Sequence, residues 1–144
     1  MMKRTIITTA IAALIAVTAA PAMAAGISIQ QYGWNNQAGG AQRGFNNNYG
    51  IFQNGHWNSV VGYQNGNNNI GAVGQEGSNN TAETWQQGNG NAAGIGQFGT
   101  NHNAVVTQDG NGNVVAGVQV GNNCNANVVQ AGHGNVAAFV QTCP

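Results

Sequence analysis

Few residues of this 144-residue chain carry side chains suited to covalent, metal or proton-transfer chemistry. A cysteine beside a histidine is the arrangement that activates a thiol nucleophile, and Cys124 and His102 are the candidate pair. Histidine, cysteine and carboxylate side chains that converge in threes or fours bind zinc. The residues that could take part are Cys124, Cys143, His56, His102, His133, Glu76, Glu83 and Asp109. Whether any of them converge depends on the elements that carry them.

The N-terminus has the pattern of a secretory signal. Lys3 and Arg4 precede an apolar run over 6–20, and Ala22-Met23-Ala24 follows as a cleavage signature. The run is shorter than the roughly 20 residues that span a bilayer. The sequence therefore predicts a signal peptide over 1–24, a repeat domain over 25–144, a secreted product and no membrane span in the mature chain.

The composition excludes several common classes of protein. Only 4% of the residues are charged, and Arg43 is the only basic residue after the leader apart from histidine. A nucleic-acid binder needs a basic surface, so we expect no nucleic-acid partner. Asparagine, glutamine and glycine dominate instead, with 23 glycines in the chain. Such a composition is typical of chains that form stacked β-structure.

Three residue types recur with a fixed period. Glutamine occurs at every eleventh position without interruption, at Gln31, Gln42, Gln53, Gln64, Gln75, Gln86, Gln97, Gln108, Gln119, Gln130 and Gln141. Glycine follows two positions later at Gly33, Gly44, Gly55, Gly66, Gly77, Gly88, Gly99, Gly110, Gly121 and Gly132. Asparagine follows five positions after the glutamine at Asn36, Asn47, Asn58, Asn69, Asn80, Asn91, Asn113 and Asn135, and His102 and Cys124 take this place in the other two units. Such a period indicates a repeat architecture.

An 11-residue unit is too short for a pair of helices, and its glycine disfavours helix. It fits a seven-residue strand and a four-residue turn, as in strands 36–42 and 47–53 around turn 43–46, with glycine supplying positive φ. Because side chains alternate along a strand, the Asn and Gln of each unit share one face. The sequence predicts an all-β, two-sheet β-solenoid of eleven strands with 22-residue coils and open ends. Its Asn and Gln side chains stack as hydrogen-bonded ladders, and it polymerises as cross-β amyloid.

Residue volumes support this register. Positions that face each other across the core mostly pair a large side chain with a small one, as Ala82 with Ile95 and Ala126 with Phe139. Gly62 and Gly71 are the exception, because this pairing leaves space between the sheets.

The register separates the candidate catalytic residues. His102 and Cys124 fill ladder positions, His56 and His133 fall in turns on opposite edges, and the three acids fall on different edges and coils. We therefore expect no catalytic residue, no metal site and no cofactor. Two cysteines in an exported chain predict a disulfide, and a bond between Cys124 and Cys143 staples the last coil. An intermolecular bond is the alternative.

The two outer faces of the predicted solenoid differ. One is polar and carries Gln37, Ser59, Thr81, Asn103 and Asn125. The other has an apolar lateral face made of Ile70, Ala92, Val114 and Val136. Because contiguous exposed apolar surface usually marks an interaction site, we expect the lateral face to mediate packing between fibres or adsorption to apolar surfaces.

The repeat resembles the curlin repeat, Ser-x5-Gln-x-Gly-x-x-Asn-x-Ala-x3-Gln, over nearly all of 31–141. Gln75, Gly77, Asn80, Ala82 and Gln86 fit its spacing. The resemblance implies a subunit of curli, the extracellular amyloid fimbriae of Gram-negative-type bacteria that serve biofilm matrix, surface adhesion and cell aggregation. The implied partners are further copies of the chain, a second curlin-type subunit and an outer-membrane export apparatus. The alternatives are a minor nucleating subunit of the same fibre and a secreted monomeric β-solenoid binding module.

Overall fold

The computed structural model describes residues 26–144, and the proposed signal peptide over 1–24 lies outside them. Eleven strands account for most of this part of the chain, in which no helix is long and apolar enough to cross a membrane. The odd-numbered strands are β1 Gly26–Trp34, β3 Asn48–His56, β5 Ile70–Ser78, β7 Ala92–Thr100, β9 Val114–Asn122 and β11 Val136–Cys143. The even-numbered strands are β2 Gln37–Arg43, β4 Ser59–Asn65, β6 Thr81–Gln87, β8 Asn103–Asn111 and β10 Asn125–His133.

Consecutive strands belong to opposite sheets. The odd strands form a six-stranded sheet and the even strands a five-stranded sheet, which we name the odd sheet and the even sheet. All pairs within a sheet are parallel, and each residue lies over the residue 22 positions earlier, as Gln53 over Gln31 and Gln64 over Gln42. The predicted all-β, two-sheet solenoid with 22-residue coils is therefore confirmed.

The core lies between the two sheets and is only two side chains thick. Along β6 buried and exposed residues alternate strictly, so that Ala82, Thr84 and Gln86 point inward while Glu83 and Trp85 point outward. The same alternation runs through the central strands. Inward positions in the middle of the strands are mostly aliphatic, with Tyr49 and Thr84 as buried exceptions, and the amides lie at the two edges of the core.

Tyr49 fills the space that the facing glycines leave. A Cβ atom added to either Gly62 or Gly71 would lie 2.2 Å from the nearest atom of its ring, so neither position has room for a side chain. The hydroxyl group reaches Thr84 Oγ1 at 2.5 Å. Burial raises the pKa of Tyr49 to about 12, against the opposing effect of the Thr84 hydrogen bond, so the ring keeps its proton at neutral pH.

The predicted four-residue turn is wrong for most of the connections between strands. Only the connections after β2, β4 and β6 are four residues long, as between Arg43 and Asn48, and the others are two residues long, as between Trp34 and Gln37. Seven of the ten glycines predicted to lie in turns instead lie near strand ends: Gly33, Gly55, Gly77, Gly99, Gly110, Gly121 and Gly132. Strand pairing continues through them because glycine stacks on glycine, coil after coil.

Close stacking explains why these positions need glycine. At Gly77 φ is +123°, and an added Cβ atom would lie 1.9 Å from the carbonyl oxygen of Gly99, one coil further on. The same distance recurs along the column. Left-handed backbone is found two residues later, at Asn35, Asn46, Trp57, Asn68, Asn79, Gly90, Asn101, Gly112, Asn123 and Gly134. Asn or Gly stands four positions after nine of the ten glutamines from Gln31 to Gln130, with Trp57 as the exception, and this was the available signal for these corners.

We predict that Gly77→Ala lowers the free energy of unfolding, by about 1–3 kcal/mol from backbone strain alone, with steric overlap adding to the loss. Gly74→Ala, three residues away, is the matched control, because nothing lies within 4 Å of its added Cβ atom. Guanidinium titration, followed by circular dichroism, measures the free energy of unfolding of both variants. Equal stability of the two variants would contradict the close contact with the Gly99 carbonyl.

Candidate functional site: two amide ladders

Nine hydrogen bonds join the inward glutamines into two axial ladders, one in each sheet. The Nε2 group of each glutamine donates to Oε1 of the glutamine one coil further on, at 2.6 Å from Gln31 to Gln53 and at 2.7–2.9 Å in the other eight bonds. All glutamines of the repeat from Gln53 to Gln119 are buried. The ladders therefore run the length of the solenoid and point in one direction, from the N-terminal to the C-terminal edge.

The same amides also join the two sheets. The second N–H of Gln86 Nε2 donates to the carbonyl of Ile70 at 2.9 Å, which belongs to β5 in the opposite sheet. Equivalent bonds span 16 residues for the other glutamines from Gln42 onward. Sequence reasoning identified the ladders but not these transverse bonds, because the carbonyl acceptors carry no side-chain signal.

The asparagines form a second ladder that holds the corners. Asn69 Nδ2 donates to the carbonyl of Gly88 at 2.8 Å, and Asn69 Oδ1 accepts the backbone N–H of Asn91 at 3.0 Å. This pattern repeats from Asn36 to Asn113, with each donor and its glycine acceptor 19 residues apart. Buried amides left without such partners would cost about 1–3 kcal/mol each.

His102 takes the part of an asparagine in this ladder. Its backbone N–H donates to Asn80 Oδ1 at 3.1 Å, and its Nδ1 atom accepts the backbone N–H of Cys124 at 3.2 Å. Nε2 lies 3.1 Å from the carbonyl of Phe98. Both ring nitrogens are therefore engaged by backbone groups, and neither is free to activate a thiol.

Cys124 and Cys143 are joined by a disulfide, with their Cα atoms 5.6 Å apart. Cys124 stands where other units have asparagine, and Cys143 stands where they have the corner glycine, 19 residues later. The disulfide therefore occupies the place of the Asn–Gly hydrogen bond and fastens β11, the last strand of the odd sheet.

The remaining histidines and acids do not converge. His56 packs against Trp34 with ring centroids 5.2 Å apart, whereas His133 Nδ1 lies 3.3 Å from Asn111 Nδ2 on the opposite edge. Among residues 26–144, no group of three or more His, Cys, Asp or Glu side chains is placed to hold a metal ion. Glu76 and Glu83 lie on the outer faces of different sheets, and Asp109 is exposed near the end of β8.

The two outer faces of the solenoid differ, one being apolar and the other polar. The lateral face of Ile70, Ala92, Val114 and Val136 runs along the odd sheet, beside a shallow groove lined mainly by small residues that include Ala72, Gly94 and Ala116, together with larger ones such as Val118 and Val140. The polar face of Gln37, Ser59, Thr81, Asn103 and Asn125 runs along the even sheet. There Tyr63 and Trp85 stack with ring centroids 4.2 Å apart.

Two parallel sheets, 22-residue coils and continuous amide ladders define this protein as a β-solenoid whose polar core repeats with every coil. A family model described as the curlin associated repeat matches residues 77–110. The matched segment runs from one corner glycine, Gly77, to another, Gly110, and supports the curlin family that the repeat resembles. A comparison with curated proteins finds no match to the chain.

We predict that Gln86→Leu strongly destabilises the solenoid. The substitution removes the side-chain bond to the Ile70 carbonyl and orphans an N–H of Gln64 and Oε1 of Gln108, at about 1–3 kcal/mol for each orphaned buried group. Gln87→Leu is the matched control, because Gln87 is the next residue and points outward. Denaturant unfolding of both variants tests this, and similar midpoints would show that the ladder contributes little to stability.

Proposed function

We propose that the chain is a structural subunit of an extracellular curli-type amyloid fibre, which grows when one solenoid adds to the open edge of another. The N-terminal edge supports this most directly. Gln42 Oε1 is the one buried side-chain polar atom without a hydrogen-bond partner in the described part of the chain. One coil further on, the equivalent atom of Gln64 accepts from Gln42 Nε2. A second chain stacked on this edge supplies the missing donor.

Apolar groups at the same edge point to the same partner. Ile27 and Ile29 occupy inward positions of β1, yet 40% and 43% of their surfaces are exposed because no other strand of the described residues covers the first coil. Inward aliphatic residues of central coils, such as Val73 and Ile95, are 3% and 4% exposed. Strand edges with unpaired N–H and C=O groups template further strands, and a copy of this chain matches the edge in both its amides and its apolar residues.

The proposed assembly takes place outside the cell. The leader-like segment over 1–24 directs export, and a disulfide such as Cys124–Cys143 persists in oxidising compartments. We propose further copies of the chain, a second curlin-type subunit and an outer-membrane export apparatus as its partners. In this proposal the chain is a building element rather than an enzyme, and its fibres support biofilm matrix, surface adhesion and cell aggregation.

We predict that purified residues 25–144 assemble at micromolar concentration after a lag that preformed fibres abolish. Because strands stack along the fibre axis, X-ray diffraction of the product should show a reflection at about 4.7–4.8 Å. Thioflavin fluorescence and electron microscopy follow the reaction.

The kinetics also separate the alternatives. A nucleating subunit assembles without a lag and shortens the lag of a second curlin-type subunit. A chain that stays a monomeric, well-ordered β protein under these conditions would contradict fibre formation and would favour a binding module.

We further propose that the lateral face packs against a neighbouring fibre of the same chain. Ile70, Val114 and Val136 are 56%, 39% and 76% exposed and form a ridge, and the groove of small residues lies beside it. A ridge and a groove on one face make that face complementary to a copy of itself, as an isologous contact requires. Burial of this apolar surface then drives bundling.

We predict that the double substitution Val114→Lys and Val136→Lys leaves assembly intact but abolishes bundles. The added charges stay exposed on the odd sheet and repel the neighbouring fibre. Asn103→Lys with Asn125→Lys is the control, because it adds the same charges one coil apart on the even sheet. Electron microscopy measures the bundle width of both variants. Bundles of unchanged width in the first variant would contradict lateral packing through this face.

A further inference from the structure

The two sheets do not contain the same number of strands. Among the described residues, six strands lie in the odd sheet and five in the even sheet, so the last of these strands, β11, lies on the odd side. The next position along the coil is therefore on the even side, over β10. Resting on the proposed function, we propose that successive copies in the fibre are related by a half turn about its axis. The odd sheet of one copy then continues as the even sheet of the next.

This arrangement leaves no break in either sheet. We call the contact between two copies related by the half turn the half-turn junction. In this junction β1 of the incoming copy stacks on β10, and β2 of the incoming copy stacks on β11. Without the half turn, β1 would stack on β11, and the position over β10 would stay empty over one strand spacing of about 4.8 Å. That gap would expose the backbone groups of β10 and the side chains of Val128 and Gln130, whose equivalents in central coils are covered.

The 11-residue period makes the two sheets interchangeable. Every strand carries its inward glutamine at the same place, so the half-turn junction brings Gln31 of the incoming copy over Gln130 and Gln42 over Gln141. Gln141 Nε2 already donates to the Asn125 carbonyl at 3.0 Å and has a second N–H for the next coil. It meets the Oε1 atom of Gln42, which lacks a donor. The glutamine ladder thus continues across the junction, and its N–H groups point in the same direction as inside each chain.

The corner ladder also continues. Inside the chain, the Oδ1 atom of an asparagine accepts the backbone N–H of the asparagine one coil further on, as Asn113 Oδ1 does from Asn135 at 3.0 Å. In the half-turn junction Asn135 Oδ1 accepts in the same way from Asn36 of the incoming copy. At the terminal coil Asn135 Nδ2 donates to Asn113 Oδ1 at 3.0 Å, whereas Asn113 Nδ2, one coil earlier, donates to the carbonyl of Gly132 at 3.0 Å.

Side-chain volumes in the apolar core favour the half-turn junction over stacking without the half turn. Inside the chain, large rings lie against glycine in the adjacent coil: Tyr49 against Gly71, and Phe139 against Gly117, where an added Cβ atom would lie 2.0 Å from the Phe139 ring. The half turn places Gly40 of the incoming copy on Phe139, which continues this rule. Stacking without the half turn places Ile29 there instead, so two large side chains would compete for one space.

The half turn is tested with cysteine pairs on the outer surface of fibres. Ser28→Cys with Asn127→Cys places the two thiols in register on adjacent strands of neighbouring copies, within the Cα separation of about 4.4–6.8 Å that a disulfide needs. Ser28→Cys with Ala138→Cys is the matched pair, since these positions are adjacent only without the half turn. All three side chains are exposed, and β1 lies at the opposite end of the chain from β10 and β11, so every such bond joins two copies.

Both double variants are assembled, oxidised and separated on non-reducing gels, and mass spectrometry identifies the joined peptides. We expect covalent multimers from most chains of the Ser28–Asn127 pair and a background equal to that of the single variants for the Ser28–Ala138 pair. Fibres that cross-link only through Ser28 and Ala138, or through neither pair, would overturn the half turn while leaving fibre formation intact. Failure of both variants and of the unmodified chain to form fibres would overturn the proposed function itself.

Unmodified fibres provide a second test. Five and a half coils of about 4.8 Å give a rise of about 26 Å for each copy. Helical reconstruction from electron micrographs should therefore find a rotation close to half a turn for each rise, in addition to the slow twist of the sheets. A rotation that consists of the slow twist alone would overturn the inference without any substitution.

Discussion

Parallel stacking in register is the constraint on which the rest of the structure depends. Each residue lies over the residue 22 positions earlier, so a buried column must be filled by side chains that tolerate a neighbour of their own kind above and below. Stacked carboxylates or ammonium groups would repel each other. An amide can donate to one copy of itself and accept from another, which is why Gln and Asn fill these columns. In the column of glycines that runs from Gly33 to Gly121, the same spacing leaves no room for a side chain.

The sequence period was sufficient to predict the sheets, their register and the inward face. Because a glutamine recurs every eleven residues without interruption, only one assignment of side chains to the inward and outward faces places all eleven glutamines on the same face. It was not sufficient for the corners. The need for glycine at Gly77 depends on the Gly99 carbonyl one coil further on, and such a contact between distant parts of the chain has no local signature. The way the Tyr49 ring fills the space left by Gly62 and Gly71, with its hydroxyl reaching Thr84, escaped prediction for the same reason.

A solenoid built in this way has edges that differ little from its interior. The groups that bind one coil to the next inside the chain are the groups that its outermost coils present, including the amide of Gln42 and the side chains of Ile27 and Ile29. In the proposed fibre, folding and assembly would therefore use the same interactions. The curlin associated repeat matched at 77–110 lies in the middle of the chain, where this chemistry is complete on both sides of each coil.

The disulfide gives the two ends of the chain unequal mechanical strength. Between Cys124 and Cys143 the covalent bond carries a pulling force directly, so the residues of β10 and most of β11 are shielded from extension. β1 is held only by hydrogen bonds and by apolar contacts that remain half exposed. In the proposed fibre, tension would therefore open the first coil of a subunit, at Gly26 and its neighbours, while the disulfide keeps the last coil intact.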